Sequence, residues 1–343
     1  MRAVVLRGGR LEVRETPDPV PGAGELLIKT LSTAICASDV HYMDHPELVT
    51  KDATGRFVYD ENRDVVMGHE FVGEVVAHGP DCTGELAVGT RVTSIPILLR
   101  GDGTQVIGQH PDAPGSFGEF LLVSEALARA VPDHVAVDAV ALVDAFAVGE
   151  FYVRSSGIAV GEIPLVIGAG AIGLSAVAAL VARDVAPIIV SDYQPARLEL
   201  ATMFGADVGV NPNEGSPYEV WREVAQQRGV ARPPVIFECV GAAGLIQSIV
   251  ESCDMGTRIY AAGGWYTGDT LNCTDATQKG VTIQFGGGPH PVDWYGTLDA
   301  VCEGRLDPLP SVGMVIGLDD VPEAIDLARK AQGPPRIVVH PTG

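Results

Sequence analysis

Residues 163–192 constrain the fold more tightly than any other stretch of the chain. They read Ile-Pro-Leu-Val-Ile-Gly-Ala-Gly-Ala-Ile-Gly-Leu, then an apolar run to Arg183, then Ile188-Ile189-Val190-Ser191-Asp192. The opening apolar tract predicts a buried strand running into Gly168, Gly170 and Gly173 at G-x-G-x-x-G spacing. A helix pattern begins inside the motif, at Ala171 and Ile172, and a second strand ends on Asp192. Strand, glycine turn, helix, strand and terminal acid in that order form a βαβ unit suited to a dinucleotide.

Each glycine has its own physical reason. Gly168 makes the tight turn, Gly170 lets backbone N–H groups approach a pyrophosphate on the helix N-terminus, and Gly173 lets helix and strand pack closely. Asp192 stands where a carboxylate accepts hydrogen bonds from both ribose hydroxyls and repels a 2′-phosphate, so NAD is expected over NADP. With 41 glycines in the chain, the spacing alone carries little weight; the elements around it supply the rest.

At 343 residues, 46% hydrophobic and 20% charged, the composition is that of a soluble globular chain of two domains. Arg183, Asp184 and Asp192 interrupt the most apolar region before it reaches membrane-spanning length. The N-terminus opens directly into Ala3-Val4-Val5-Leu6, without the basic and apolar regions of a signal peptide, so a cytoplasmic location is expected. A formal charge of −21 argues against nucleic acid and anionic membrane as partners, because phosphate binding relies on Lys and Arg displacing counterions. An anionic dinucleotide must therefore be held by local donors. The six cysteines, at 36, 82, 239, 253, 273 and 302, contain no C-x-x-C pair and read neither as a disulfide framework nor as a four-cysteine zinc site.

Residues 1–135 alternate short β-like runs, at 3–6, 11–15, 26–31, 71–77, 91–95 and 117–123, with Pro, Gly and Asp turns, which predicts a β-rich domain. Two clusters within it carry chemistry: Ile35-Cys36-Ala37-Ser38-Asp39-Val40-His41 and Gly68-His69-Glu70. Together they supply a zinc site with Cys36 as thiolate and His69 as neutral imidazole. Either cluster alone reads equally as a buried small residue or a strand entry. Beyond the βαβ unit, a helix over 195–204 stops at Gly205. Ser216-Pro217-Tyr218-Glu219 is a capping box, and strands follow at 235–239, 258–262 and 281–285. The strand ends at Val240-Gly241 and Gly263-Gly264 are expected to face the cofactor, with Arg197 on its adenosine side.

In combination, these two clusters, the Phe71-Val72-Gly73-Glu74-Val75 run and the nucleotide unit resemble the zinc-dependent medium-chain alcohol dehydrogenases over nearly the whole chain. The resemblance implies an α/β architecture. Residues 1–148 would form a GroES-like catalytic domain, 149–286 a Rossmann domain with a doubly wound parallel sheet, and 287–343 a segment returning to the catalytic domain. It also implies one catalytic zinc, held by Cys36, His69 and a third ligand. Asp144, in Ala141-Leu142-Val143-Asp144, is preferred for that place, with Glu70 as the competitor. Asp39 matches the acid that orients the zinc-bound histidine. Ser38 matches the group that takes the alcohol proton and passes it through the cofactor ribose to His41, which exchanges it with solvent. Arg336 resembles the basic residue that reaches the pyrophosphate. A homodimer or homotetramer is implied as well.

Two departures from the family pattern stand out. Residues 93–116 contain no cysteine, so a second, structural zinc is not expected, and 98–114 should form a different loop. Cys36 and His69 are also unusually far apart, the surplus lying in 44–64, which reads as a pocket wall or lid, a surface excursion or a subunit contact. Pro96, Phe117 and Phe146 are expected to line an apolar substrate pocket, while Trp294 and Tyr295 read more readily as packing. The expected activity is reversible hydride transfer between an alcohol and NAD. A secondary alcohol is favoured because Ser38 is smaller than the threonine some relatives carry. The alternatives are a polyol dehydrogenase of the same family, a metal-free quinone or enoyl reductase, and a catalytically silent dinucleotide-binding protein.

Overall fold

The structure, a computed structural model, describes residues 1–49, 54–101, 103–264, 268–330 and 333–342. The chain divides into two compact units, Met1–Asp144 with Leu298–Gly343, and Ala145–Thr297. The chain passes from one unit to the other inside two helices, Val143–Ser156 and Pro291–Cys302, rather than in extended linkers.

The first unit is β-rich. It begins with β1 (Arg2–Arg7), β2 (Arg10–Glu15), β3 (Glu25–Ala34), β4 (Val65–Val66), β5 (Glu70–His78), β6 (Arg91–Ser94), β7 (Ile97–Arg100), β8 (Gly103–Val106), β9 (Phe120–Ser124) and β10 (Ala128–Ala130). The long strand β3 is central, antiparallel to both β5 and β9. Gly73 permits the close approach of β5, since a Cβ there would lie 2.6 Å from the Lys29 carbonyl oxygen. The expected loop at 98–114 contains the β7–β8 hairpin. Its Arg100 guanidinium donates to the buried Glu25 at 2.6 and 3.2 Å and to Gln105 at 3.1 Å. Asp102 lies outside the described residues, as do 50–53 of the 44–64 segment. Residues 57–60 of that segment are half-buried against Tyr42, whose Oη donates to the Val58 carbonyl at 2.6 Å and whose ring meets Tyr59 edge-on at 5.9 Å, while 54–56 and 61–64 are exposed.

The second unit is built on β11 (Pro164–Ile167), β12 (Ile189–Ser191), β13 (Val208–Val210), β14 (Val235–Glu238), β15 (Arg258–Ala261) and β16 (Thr282–Phe285). All are parallel, in the order β13-β12-β11-β14-β15-β16, so strand order reverses between β11 and β14. Ligands of open α/β sheets bind at such a reversal, beyond the carboxyl ends of the strands. Helices on both faces explain why β11, β12 and β14 are almost uniformly apolar. Pro195–Met203 is followed by Gly205 at φ 106°, and Pro217–Arg228 is capped by Ser216, which accepts the Glu219 N–H at 3.5 Å. The fold is thus α/β, with a GroES-like part and a parallel Rossmann-like sheet.

Two last strands, β17 (Val312–Ile316) and β18 (Arg336–Val339), belong to the first unit. β18 pairs antiparallel with the end of β3, Val338 opposite Ala34 and Val339 opposite Thr33, completing the sheet order β10-β6-β5-β3-β18-β17. Among the described residues no helix is long and apolar enough to cross a membrane.

The tightest contact of the nucleotide unit gives a direct test. A Cβ at Gly173 would lie 1.8 Å from the Gly168 carbonyl oxygen, a backbone atom with no rotamer to change. Gly173→Ala should therefore lower stability by about 3 kcal/mol, read from urea unfolding, by forcing the helix away from the glycine turn. A loss below about 0.5 kcal/mol would show that the turn adjusts freely.

Candidate active site and metal centre

The site is set by where β3 ends. Pairing with β18 continues one residue past the strand, through Ile35 N–H to the Ile337 carbonyl at 3.0 Å. Cys36 then stands in extended conformation as the N-cap of the helix Ala37–Asp44. Asp39, at the third helical position, turns its carboxylate back to the Cys36 N–H at 3.0 Å, satisfying one of the donors a helix start leaves open. Its other oxygen lies 3.1 Å from His69 Nδ1, and Asp39 is wholly buried. That contact fixes Nδ1 as the proton-bearing nitrogen and directs Nε2 to the opposite side, where Ser38 Oγ lies at 3.1 Å.

Gly68 explains how His69 and Glu70 serve one place. Its φ is 94°, and a Cβ would lie 2.6 Å from the Phe117 ring and 2.7 Å from Ser116 Oγ, so glycine alone fits both the conformation and the space. His69 precedes β5 rather than belonging to it, which frees it from the alternation that would send neighbouring side chains to opposite faces. Ligand atoms of Cys36, His69 and Glu70 all lie within 4.8 Å of one another.

Burial raises the Cys36 thiol, but the hydrogen bond and charge of His69, with the charge of Arg336, outweigh it and hold the thiol below its ordinary value. Burial likewise pushes His69 down, and the Asp39 carboxylate and Cys36 reverse that, leaving the imidazole well above its ordinary value. A depressed thiol beside an imidazole oriented by a carboxylate is a donor pair that would hold zinc, as thiolate and neutral imidazole. Both Glu70 oxygens are buried without a hydrogen-bond partner, although the carboxylate forms an ion pair with Arg336. Sulfur, nitrogen and an under-satisfied carboxylate within one small space fit zinc.

Three expectations are corrected here. Asp144, preferred as third ligand, lies in the first turn of Val143–Ser156 and does not join the Cys36 and His69 group; among the described residues Glu70, next to His69 in the chain, is the third group within reach. Arg336, expected at the cofactor pyrophosphate, is 2% exposed, with its guanidinium against Glu70, because β18 opens beside the end of β3. Phe117 and Phe146 are core residues rather than pocket lining. Phe117 packs with Val4, Leu6 and Met67, and Phe146 meets the Phe204 ring at 5.7 Å. Ser38 and His41 share one face of the Ala37–Asp44 helix by their spacing, and His41 stacks on His45 at 6.1 Å. Trp294 is buried and meets Tyr295 edge-on at 5.3 Å.

In the second unit Gly168 turns at φ 93°, and Gly170 is the N-cap of the helix Ala171–Val181, with open space where its Cβ would be. The first-turn amides at Ala171, Ile172 and Gly173 lack intrahelical partners by position and mark an anion site. Asp192 accepts the Ala169 N–H at 2.8 Å and the Gln194 N–H at 2.9 Å, tying the second strand's acid to the glycine turn. Arg197 stands 4.0 Å from Asp192. Val240 is half-exposed and Gly241 has φ 74°, both just past β14.

Residues 22–133 match the alcohol dehydrogenase GroES-like domain, and residues 171–302 match the zinc-binding dehydrogenase family. The chain is 30% identical to sorbitol dehydrogenase of Homo sapiens over 274 residues, 76% of this chain and 74% of that one. It is 29% identical to L-threonine 3-dehydrogenase of Klebsiella pneumoniae over 331 residues, 93% of each. The crystal structure of 2R,3R-butanediol dehydrogenase from Bacillus subtilis has the same fold, with a TM-score of 0.83 and 26% identity over 99% of both chains. The chain belongs to the zinc-dependent medium-chain dehydrogenase/reductase family. It is accordingly an oxidoreductase of that family acting on a small molecule.

The ligand assignment is tested by metal content. Zinc per chain, measured after purification and dialysis, should fall to near zero in Cys36→Ser, fall about tenfold in retention in Glu70→Gln, and stay at the wild-type level in Asp144→Asn. Zinc lost in Asp144→Asn but kept in Glu70→Gln would restore Asp144 as the ligand.

Proposed function

We propose that the protein is a zinc-dependent alcohol dehydrogenase that moves a hydride reversibly between a secondary alcohol and NAD. The observation that carries this reading is the Cys36, His69 and Glu70 group, with Asp39 on one side of the imidazole and Ser38 on the other. Zinc held by Cys36, His69 and Glu70 would supply Lewis acidity that lowers the pKa of a substrate hydroxyl, and NAD in the glycine-turn site would accept the hydride. A metal-free reductase needs neither the thiolate nor the oriented imidazole.

Asp39 holds the Nδ1 proton and keeps the ring from turning. Ser38 takes the substrate proton at Oγ while releasing its own, and His41 receives it at its imidazole and delivers it to water. Burial and the neighbouring His45 push His41 below its ordinary value, against Asp44, so it remains a neutral acceptor to lower pH than a free imidazole. Sorbitol, threonine and butanediol, the compounds in the relatives' names, all contain secondary hydroxyls, which supports a secondary alcohol. The same names favour one second reading, a polyol substrate.

Asp192 supports NAD over NADP, because a 2′-phosphate would meet its carboxylate. Asp192→Asn should raise the NADP-to-NAD ratio of kcat/KM by about a hundredfold; an unchanged ratio would remove Asp192 from cofactor selection. His41→Gln should slow alcohol oxidation about tenfold near neutral pH, the deficit shrinking as pH rises and hydroxide replaces the imidazole. A kcat profile identical to wild type across that range would take His41 out of the proton path.

A further inference from the structure

β14 ends on a carboxyl group that the proposed chemistry does not use. Glu238 is wholly buried, and its Oε1 accepts the N–H groups of Val240 at 2.7 Å and Gly241 at 2.8 Å. Its backbone carbonyl accepts the N–H groups of Ala262 at 2.7 Å and Gly263 at 2.9 Å, from the turn after β15. The two turns touch through backbone: a Cβ at Gly241 would lie 2.4 Å from the Gly264 carbonyl oxygen, and one at Gly263 would lie 2.2 Å from Gly241 N. The first turn also meets the glycine motif, since a Cβ at Gly168 would lie 2.6 Å from a Val240 methyl and Cys239 N–H donates to the Ile167 carbonyl at 2.8 Å. The Glu238 carboxyl thus fixes the turn after β14, and that turn packs against the turns after β11 and β15 through backbone and Val240.

The position of those turns says what they hold. Asp192 places the adenosine ribose beyond β12, on one side of the strand-order reversal, and the glycine turn places the pyrophosphate at β11. The other half of a dinucleotide must then lie beyond β14 and β15. We infer that Glu238 is the positioning residue for the nicotinamide half of the cofactor, acting through the Val240 and Gly241 backbone. The inference rests on the NAD reading above.

Glu238 Oε2 is buried without a hydrogen-bond partner, an arrangement that stabilises nothing by itself. Burial pushes the carboxyl above its ordinary value, against the pull of the Gly241, Val240 and Gly263 amides, which favours a neutral group beside an anionic cofactor. A glutamine would keep the acceptor oxygen and be neutral at any pH.

The test compares NADH with ADP-ribose, which lacks the nicotinamide, by calorimetric titration of wild type, Glu238→Ala and Glu238→Gln. Glu238→Ala should weaken NADH about tenfold and ADP-ribose less than about twofold, and Glu238→Gln should restore NADH binding. Retained ADP-ribose affinity also certifies that the variant is folded. Equal loss of both ligands, or no loss of NADH, would overturn the inference. A wild-type protein that binds neither ligand would bring down the dinucleotide reading itself, and the inference with it.

Discussion

A single buried carboxylate joins the two halves of the metal centre. Asp39 accepts the Cys36 N–H and holds His69 Nδ1, so a helix start and a strand entry thirty residues later share one acceptor. Removing a carboxylate from water costs several kcal/mol, and only charge-assisted hydrogen bonds of this kind offset it. The consequence is orientation rather than stability. With Nδ1 held, Nε2 has one direction, and Cys36, Glu70 and Ser38 are gathered around it.

What gathers them is the sheet. Cys36 stands two residues past the end of β3, His69 just before β5 and Glu70 at its first position, and β18 brings Arg336 beside Glu70. Arg336 balances Glu70 in a place where neither charge reaches water. An isolated buried charge would be expelled or neutralised, so the pair is what lets a carboxylate stand next to a thiolate. The sheet thus holds the three donors within reach of one another.

The nucleotide unit was legible in the sequence because its elements are local. The strand, the glycine spacing and the acid all fall within thirty residues, and each has a reason that needs no distant partner. Cys36, His69, Ser38 and Asp39 were legible only in combination and by resemblance. Glu70 stood only as a competitor to Asp144, whose place came from resemblance, and nothing local showed that Gly68 would hold His69 outside the strand, free of the alternation that would send it and Glu70 to opposite faces. Arg336 was misplaced for a different reason. Its partner is fixed by the pairing of β18 with β3, roughly three hundred residues apart in sequence, which no periodicity encodes. Phe117 and Phe146 looked like pocket residues because apolar side chains near a site and in a core have the same composition. Glu238 gave a faint signal, an acid closing an otherwise apolar strand, that strand reasoning treats as a surface end.

The chain's acidity sharpens what the cofactor site must do. At −21 the average field repels an anionic dinucleotide, yet that field decays over about 8 Å at physiological salt. Selection of the ligand therefore falls to groups at contact distance, and here those are backbone amides. The helix start after Gly170 and the Gly168 turn present donors whose positions are fixed by covalent geometry and close packing, with no flexible cation to order. Asp192 then adds a negative charge at the one point where an extra phosphate would distinguish two cofactors. A binding site made of rigid dipoles tolerates a hostile net charge, and a carboxylate held in place by two backbone N–H groups, as Asp192 is by Ala169 and Gln194, can discriminate at the one position where the two cofactors differ.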